Sequence, residues 1–199
     1  LDTIAHLNTL CDKDLHPTRY EVVALAAGKD AATLATQSAQ HPEALLGVSC
    51  PDADTSVLKS TNPTHASNAP TQRIEQSNPD LVIASIVGIA GLPSTLRAAQ
   101  LGIDIALANK ESLVAGGHLV TQAARGSGAR ILPIDSEHAG LWQTILAITS
   151  PTYSPPSSTP LDTIRRVTLT ASGGPFRRAT LADIQNASIE QALNHPTWS

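Results

Sequence analysis

The chain has 199 residues, of which 41% are hydrophobic, so it can bury a core and its composition is not that of a disordered chain. Its net charge of −4 and the lack of a long basic stripe argue against nucleic acid as a partner. No apolar run reaches the roughly 18–20 residues that a membrane-spanning helix needs, and the first ten residues do not form a signal peptide.

The two cysteines, Cys11 and Cys50, are too few and too far apart for a disulfide framework or a zinc site. They indicate unpaired thiols in a reducing compartment. They also argue against a semialdehyde-type dehydrogenase, because neither thiol stands at a predicted helix N-terminus, where a nucleophilic cysteine is activated.

Helices and apolar strands alternate along the first three quarters of the chain. Leucine and isoleucine spaced three apart predict a helix over residues 1–10. Continuous apolar runs then predict strands over 21–27, 44–50, 80–87, 103–108 and 130–134. Helices are predicted over 31–40, up to residue 100, over 110–125 and over 136–146, whereas residues 51–78 give no clear pattern.

This alternation predicts an α/β fold with a doubly wound, mostly parallel, Rossmann-like sheet over residues 1–148. The first element is a helix with no strand before it, so we expect the first strand and its phosphate-binding glycine turn to be missing; a natural helical N-terminus is the alternative. A proline- and serine-rich linker or insertion is predicted over 149–161. Residues 162–199 are expected to begin an α+β catalytic domain, with a strand over 164–170 and short helices over 180–194.

The first polar cluster, Asn109 to Ser112, follows the strand over 103–108. Lys110 could hold a phosphate or a substrate hydroxyl, and Asn109 could bind a ring or a ribose. The alternative is that Asn109 caps the next helix, with Lys110 and Glu111 as a solvated pair. The spacing alone does not decide between these interpretations.

The second cluster, Asp135 to His138, follows the strand over 130–134. Asp135 and Glu137 could both bind one oxygen-loving cation, such as Mg²⁺ or Mn²⁺, with a third ligand elsewhere. Taken alone, the pair is better explained as a helix N-cap and a first-turn glutamate that the helix dipole favours.

The third cluster covers residues 170–176, where Ser172 and two glycines form a turn whose N–H groups could bind an anion. A plain Gly-Pro turn is the alternative. Near the end of the chain, His195 and Trp198 add an imidazole and an indole, and His195 by itself is more simply explained as structural.

Six segments together resemble the 1-deoxy-D-xylulose 5-phosphate reductoisomerase family. They are VVALAAGKD, VIASIVGIAGLPSTL, ALANKESLVAGG, ILPIDSEHAGLWQ, LTASGGPFR and NHPTWS, and their order and intervals fit along nearly the whole chain apart from 149–161. The resemblance implies an NADP-dependent oxidoreductase of the non-mevalonate isoprenoid pathway that also needs a divalent cation (Mg, Mn or Co). Such an enzyme rearranges 1-deoxy-D-xylulose 5-phosphate to an aldehyde and reduces it with NADPH to 2-C-methyl-D-erythritol 4-phosphate.

The resemblance also implies roles for individual residues. The metal ligands would be Asp135 and Glu137, and the catalytic groups would be Lys110, Glu137 and His195. The substrate contacts would be Lys110, Ser136, Glu137, Ser172, His195 and Trp198, the last on a mobile flap. The cofactor contacts would be Gly28, Lys29, Asp30, Asn109 and Glu111.

The chain departs from the family at several points. The glycine-rich turn is expected before Leu1, and the third metal carboxylate after Ser199, so we expect a fragment that is inactive alone. Asp30 stands where the family often has Asn, and its charge would repel the 2′-phosphate of NADPH. Ala171 stands where a glycine is common, which would only tighten the turn.

We expect a homodimer in the full-length protein, in the bacterial cytoplasm or in a plastid. A non-catalytic nucleotide-binding module of the same fold is the alternative to an enzyme.

Overall fold

The first half of the chain forms three short parallel strands and three helices. The structure is a computed structural model that describes residues 1–58, 63–148, 155, 164–169 and 174–194. Its first elements are α1 (Asp2–Cys11), β1 (Ala24–Ala27), α2 (Ala31–Ser38), β2 (Leu45–Val48), β3 (Thr64–His65) and α3 (Ala69–Ser77). The predicted helices and strands before residue 51 are present, α1 at its predicted length and the others shorter, and β3 and α3 lie in the stretch that gave no clear pattern.

The second half repeats the strand–helix alternation with longer helices. It contains β4 (Leu81–Ala84), a 3-10 turn (Gly88–Gly91), α4 (Leu92–Gln100), β5 (Asp104–Leu107), α5 (Glu111–Ser127), β6 (Ile131–Pro133) and α6 (Ser136–Ile148). All these elements except the 3-10 turn were predicted. Helix α5 is kinked at Gly116 (φ −135°, ψ 24°), where an added Cβ would lie 2.7 Å from a methyl group of Leu92 on α4. The kink therefore lets α4 and α5 approach closely.

The strands pair in parallel throughout, in the orders β1-β2-β3 and β4-β5-β6. This confirms the parallel α/β, Rossmann-like fold class. We predicted one sheet; within the described residues, no strand ladder joins β1 to β4, so there are two sheets of three strands. Helix α3 packs on β1 and β2 and also contacts α4, so it connects the two sheets.

Each sheet has its own apolar core. The larger core packs α4 and α5 against β4, β5 and β6 and includes Ile105 and Val120, both without exposed surface. The smaller core packs α2 against β1 and β2 and includes Leu34 and Leu46. Burial of these side chains, each contributing about 1.5–3 kcal/mol, fixes which strand ends lie next to each other.

The described residues beyond 148 form only short elements: a 3-10 turn (Gly174–Phe176), α7 (Leu181–Gln185) and α8 (Ile189–Leu193). The two short helices were predicted, and each begins with a capping box, at Thr180 and at Ser188. The predicted strand over 164–170 is wrong for residues 164–169, which have no regular structure. A strand needs a ladder partner, and the apolar Val167 and Leu169 remain exposed here.

Within the described parts of the chain, no helix is long and apolar enough to cross a membrane.

Candidate active site

The first and second polar clusters lie at one edge of the second sheet because its three strands end together. In the strand register, Ala84 lies opposite Leu107, and Leu107 lies opposite Pro133. The segments that follow β4, β5 and β6 therefore leave the sheet side by side. The carboxyl edge of a parallel sheet is where such folds bind ligands.

Asp135 caps α6 and is partly buried, with 13% of its side chain exposed. Its Oδ1 accepts the backbone N–H of His138 at 3.1 Å, and His138 Nδ1 lies 2.8 Å from the same oxygen. Partial burial alone would raise the pKa of Asp135, but the hydrogen bonds from His138 and the charges of His138 and Lys110 lower it. Asp135 is therefore held as a carboxylate.

Glu137, in the first turn of α6, points toward the segment after β5. Its Oε2 lies 3.7 Å from Lys110 Nζ, with Glu137 33% and Lys110 51% exposed. The positive charge of Lys110 also helps to lower the pKa of Asp135. The structure thus places Glu137 beside Lys110, whose charge also acts on Asp135; Ser136, between the two acids, is exposed.

Asn109, just before Lys110, is buried and fully hydrogen-bonded. Its Nδ2 donates to the carbonyl oxygens of Ile86 and Gly88, and its Oδ1 accepts the N–H and the hydroxyl of Ser112. Glu111 is exposed in the first turn of α5. Asn109 thus accepts a backbone N–H as a helix cap does, but the N-cap position of α5 is Lys110, which pairs with Glu137 and not with Glu111. The contact of Asn109 with a cofactor remains a prediction.

The turn after β1 carries the other predicted cofactor residues. Asp30 caps α2: its Oδ1 accepts the Thr33 N–H at 2.9 Å, and its Oδ2 accepts the Thr33 hydroxyl at 2.6 Å. Both bonds lower the pKa of Asp30, and the bond from the Thr33 hydroxyl has the larger effect. Lys29 is exposed, and no atom lies within 4 Å of where a Cβ on Gly28 would stand. The turn thus leaves room for a ligand.

Three predicted site residues, Ser172, His195 and Trp198, lie outside the described residues, and so does Ala171. In the part of the chain that the structure describes, no group of three His, Cys, Asp or Glu side chains is arranged to hold a metal ion. The third ligand that the sequence analysis placed elsewhere is thus not found among these residues. The donor set itself fits: two carboxylates provide the oxygen ligands that Mg²⁺ and Mn²⁺ prefer.

Sequence reasoning assigned no role to two features of this edge. One is the hydrogen bond from His138 to Asp135. The signal in the sequence is that a histidine, which can donate an N–H, stands three residues after the predicted N-cap. The other is the loop over 85–91, which Asn109 holds. The glycines of this loop, Gly88 and Gly91, were visible in the sequence, but what they pack against was not.

Two family models match the chain. The model for 1-deoxy-D-xylulose 5-phosphate reductoisomerase matches residues 7–117, and the model for the C-terminal domain of the same enzyme matches residues 131–199. The first match covers more than half of the chain.

Similar proteins carry the same description. The chain is 40% identical over 191 residues to 1-deoxy-D-xylulose 5-phosphate reductoisomerase of Bordetella avium, covering 92% of this chain and 47% of that protein. It is 43% identical over 185 residues to the enzyme of Mycobacterium bovis, covering 92% and 41%. The chain thus spans about half the length of the curated relatives it matches.

Solved structures of such reductoisomerases are similar as well. The Zymomonas mobilis enzyme in complex with NADPH has a TM-score of 0.69 and 32% identity, covering 98% of this chain and 48% of that one. A reductoisomerase in complex with NADPH, fosmidomycin and magnesium has a TM-score of 0.63 and 34% identity, covering 98% and 49%.

Proposed function

This chain belongs to the 1-deoxy-D-xylulose 5-phosphate reductoisomerase family, and on that basis we propose that its protein converts 1-deoxy-D-xylulose 5-phosphate to 2-C-methyl-D-erythritol 4-phosphate. The substrate rearranges to an aldehyde, which takes a hydride from NADPH and a proton. Relatives with bound NADPH and magnesium support both requirements. In this proposal, residues 1–148 form the cofactor domain, 149–161 a linker or insertion, and 162–199 the start of the catalytic domain.

The observation that carries the proposal is the grouping of Asp135, Glu137 and Lys110 at the carboxyl edge of the second sheet. Asp135 and Glu137 would hold a divalent cation. When bound, the cation supplies Lewis-acid polarisation of the substrate carbonyl. Lys110 would donate hydrogen bonds to substrate oxygens beside the cation, and Ser136 would donate its exposed hydroxyl to the substrate.

The cofactor half of the proposal uses the turn after β1 and the start of α5. Lys29 provides an exposed positive charge for the 2′-phosphate of NADPH, and Gly28 leaves the approach open. The charge of Asp30 opposes that phosphate and would reduce the preference for NADPH over NADH. Glu111 and Asn109 would line the cofactor side of the cleft.

Three further roles rest on the family resemblance. Ser172 would bind the substrate phosphate, His195 would stand beside the substrate, and Trp198 would belong to a flap that excludes water before hydride transfer. The family resemblance is also the ground on which we propose a homodimer. We propose the bacterial cytoplasm because the relatives named above are bacterial enzymes. Nucleic acid has no place in this function, in line with the net charge of −4.

The test uses Asp135→Asn and Glu137→Gln in the protein expressed from its complete gene. Both variants keep the shape of the side chain, and Asn still caps the helix, so folding is preserved while the cation loses charged ligands. We expect NADPH consumption with substrate and Mn²⁺ to fall by about 100-fold or more in each variant.

Asp104→Asn and Glu75→Gln are the matched controls. Asp104 pairs with Arg130 at the start of β5, the opposite end from the carboxyl edge, and Glu75 pairs with Arg97 between α3 and α4. The controls should keep wild-type turnover. Unchanged metal-dependent turnover in Asp135→Asn and Glu137→Gln would show that these residues do not hold the cation, so that Asp135 is only the cap that the structure shows it to be. Absence of any turnover in the wild-type protein would instead support the alternative of a non-catalytic nucleotide-binding module.

A further inference from the structure

The loop over 85–91, between β4 and α4, lies beside the start of α5 at the carboxyl edge of the sheet. The backbone N–H groups of Ala108 and Asn109 both donate to the carbonyl oxygen of Ala84, each at 3.0 Å. The end of β4 and the segment after β5 are thus tied together where the loop begins. Two apolar residues of the loop face solvent: Val87 is 85% exposed and Ile89 is 67% exposed.

The side chain of Asn109 uses its whole hydrogen-bonding capacity inside the protein. A side-chain amide has two N–H donors and an oxygen with two lone pairs. The donors of Asn109 go to the carbonyl oxygens of Ile86 and Gly88, the latter at 2.8 Å. Its oxygen accepts the N–H of Ser112 at 2.7 Å and the hydroxyl of Ser112 at 2.6 Å. With only 4% of the residue exposed, no part of this amide remains for a ligand.

Gly91 closes the loop on the same amide. A Cβ at Gly91 would lie 2.7 Å from the carbonyl oxygen of Ile86 and 2.9 Å from Asn109 Nδ2. Real Cβ atoms do not approach a backbone oxygen that closely, so the loop can keep this shape only with glycine at this position. The carbonyl of Gly91 is itself fixed, since it accepts the hydroxyls of Ser94 and Thr95.

We infer that Asn109 is a positioning residue, which shapes the cofactor cleft by holding the loop over 85–91 and does not bind the cofactor with its own side chain. The cofactor would then contact the loop, where the exposed side chains of Val87 and Ile89 can pack against an apolar ring face. The part of this inference that concerns the cofactor rests on the proposed function; the part that concerns the loop does not.

The experiment compares Asn109→Asp, Gly91→Ala and the milder Ser112→Ala in the protein expressed from its complete gene. Asn109→Asp places carboxylate oxygens against two carbonyl oxygens, Gly91→Ala pushes the loop off the amide, and Ser112→Ala removes one of four bonds. Hydrogen exchange followed by mass spectrometry reports the loop, and fluorescence titration reports the Kd for NADPH; kcat and KM complete the set.

We expect exchange of the loop amides to accelerate at least about tenfold in Asn109→Asp and Gly91→Ala, and less in Ser112→Ala. The Kd and KM for NADPH should rise by about the same factor in each variant, with a smaller change in kcat at saturating NADPH. Asn8→Asp is the matched control, because Asn8 of α1 also bridges two backbone groups, both of Tyr20, and neither residue belongs to the loop over 85–91. It should leave the Kd for NADPH unchanged.

Two outcomes would overturn the inference. In the first, Asn109→Asp weakens NADPH binding while Gly91→Ala does not, and the loop keeps its wild-type exchange; Asn109 would then be a direct ligand. In the second, exchange of the loop accelerates in both variants without any change in the Kd for NADPH. If the wild-type protein bound no NADPH at all, the proposed function would fail, and the exchange data would still decide whether Asn109 holds the loop.

Discussion

Replacing Lys110 with methionine is expected to strengthen divalent-cation binding in the absence of substrate. The ammonium of Lys110 lies 3.7 Å from Glu137 Oε2 and also acts on Asp135. The two carboxylates therefore already have a positive partner, which a cation must displace or tolerate. Methionine keeps the length and apolar stem of the side chain and removes only the charge.

The size of the effect follows from the distance and the exposure of the pair. Two unit charges at 3.7 Å attract by about 1 kcal/mol in a water-like medium and about 4 kcal/mol at an effective dielectric constant of about 20. Because Lys110 is 51% and Glu137 33% exposed, the lower value applies, as it does for most surface ion pairs. A gain of about 1 kcal/mol corresponds to about fivefold tighter cation binding.

Electron paramagnetic resonance of free Mn²⁺ measures this affinity directly, with the protein expressed from its complete gene and no substrate present. Lys13→Met is the matched control, since Lys13 is exposed in the segment after α1. Turnover should fall in Lys110→Met, because the substrate loses a hydrogen-bond donor while the cation is bound more tightly. Unchanged or weaker Mn²⁺ binding in Lys110→Met, or an equal gain in Lys13→Met, would refute the electrostatic argument.

Three other predictions test separate parts of the structure. Asp30→Asn keeps the helix cap and removes a negative charge, so the ratio of the NADH to the NADPH dissociation constants should rise severalfold; an unchanged ratio would place Asp30 away from the 2′-phosphate. Gly116→Ala should lower the free energy of unfolding by about 1 kcal/mol or more, because its Cβ would lie within 2.8 Å of a side chain from α4. A Cβ at Gly117 meets nothing closer than 3.8 Å, so Gly117→Ala should stabilise the protein by up to about 1 kcal/mol. Equal urea unfolding midpoints for the two variants would contradict this. Hydrogen bonds from Arg130, acting against partial burial, lower the pKa of Asp104 below its usual 3.8. The pair therefore stabilises the fold above that pH, and its contribution is lost as the pH falls through the lower pKa of the folded state. In urea unfolding measured between pH 5 and pH 2, Asp104→Asn should remove this part of the fall in stability.

The sequence predicted the parallel fold and the edge that carries the site because both depend on simple periodic features. Continuous apolar runs mark buried parallel strands, and the polar residues that follow β5 and β6 must then lie at a common edge. Strand lengths were overestimated by one to three residues at their ends, as between 21–27 and β1. The elements β3 and α3 were not placed from the sequence: β3 has only two residues, and α3 has nine residues among polar connections.

The tertiary partners of the site residues could not be predicted. Nothing in the sequence near Asn109 shows that its amide reaches back 23 residues to the carbonyl of Ile86. The strand predicted over 164–170 was wrong for residues 164–169 for the opposite reason. Its apolar pattern suits a strand, but no partner strand lies beside it among the described residues. Local pattern gives the element, whereas contacts over long sequence separation decide whether it forms and what its side chains touch.

The sequence left open whether Asn109 is a helix cap or a functional residue and favoured the cap for Asp135, yet a capping bond does not exclude a functional role. Asp30, Asn109 and Asp135 each follow a strand, and each accepts the backbone N–H three residues later through Oδ1. A cap at a strand-to-helix turn stands at the carboxyl edge of the sheet, where ligands bind, and the capping bond fixes its rotamer.

The three residues differ in what binds the second polar atom of the side chain, Oδ2 in aspartate or Nδ2 in asparagine. In Asp30 a hydroxyl occupies Oδ2, and in Asn109 two carbonyl oxygens occupy the amide N–H groups. Both bonds that His138 makes to Asp135 use Oδ1, so neither occupies Oδ2. In the proposed function, capping would therefore prepare Asp135 for a cation, since both bonds from His138 orient the carboxylate through Oδ1.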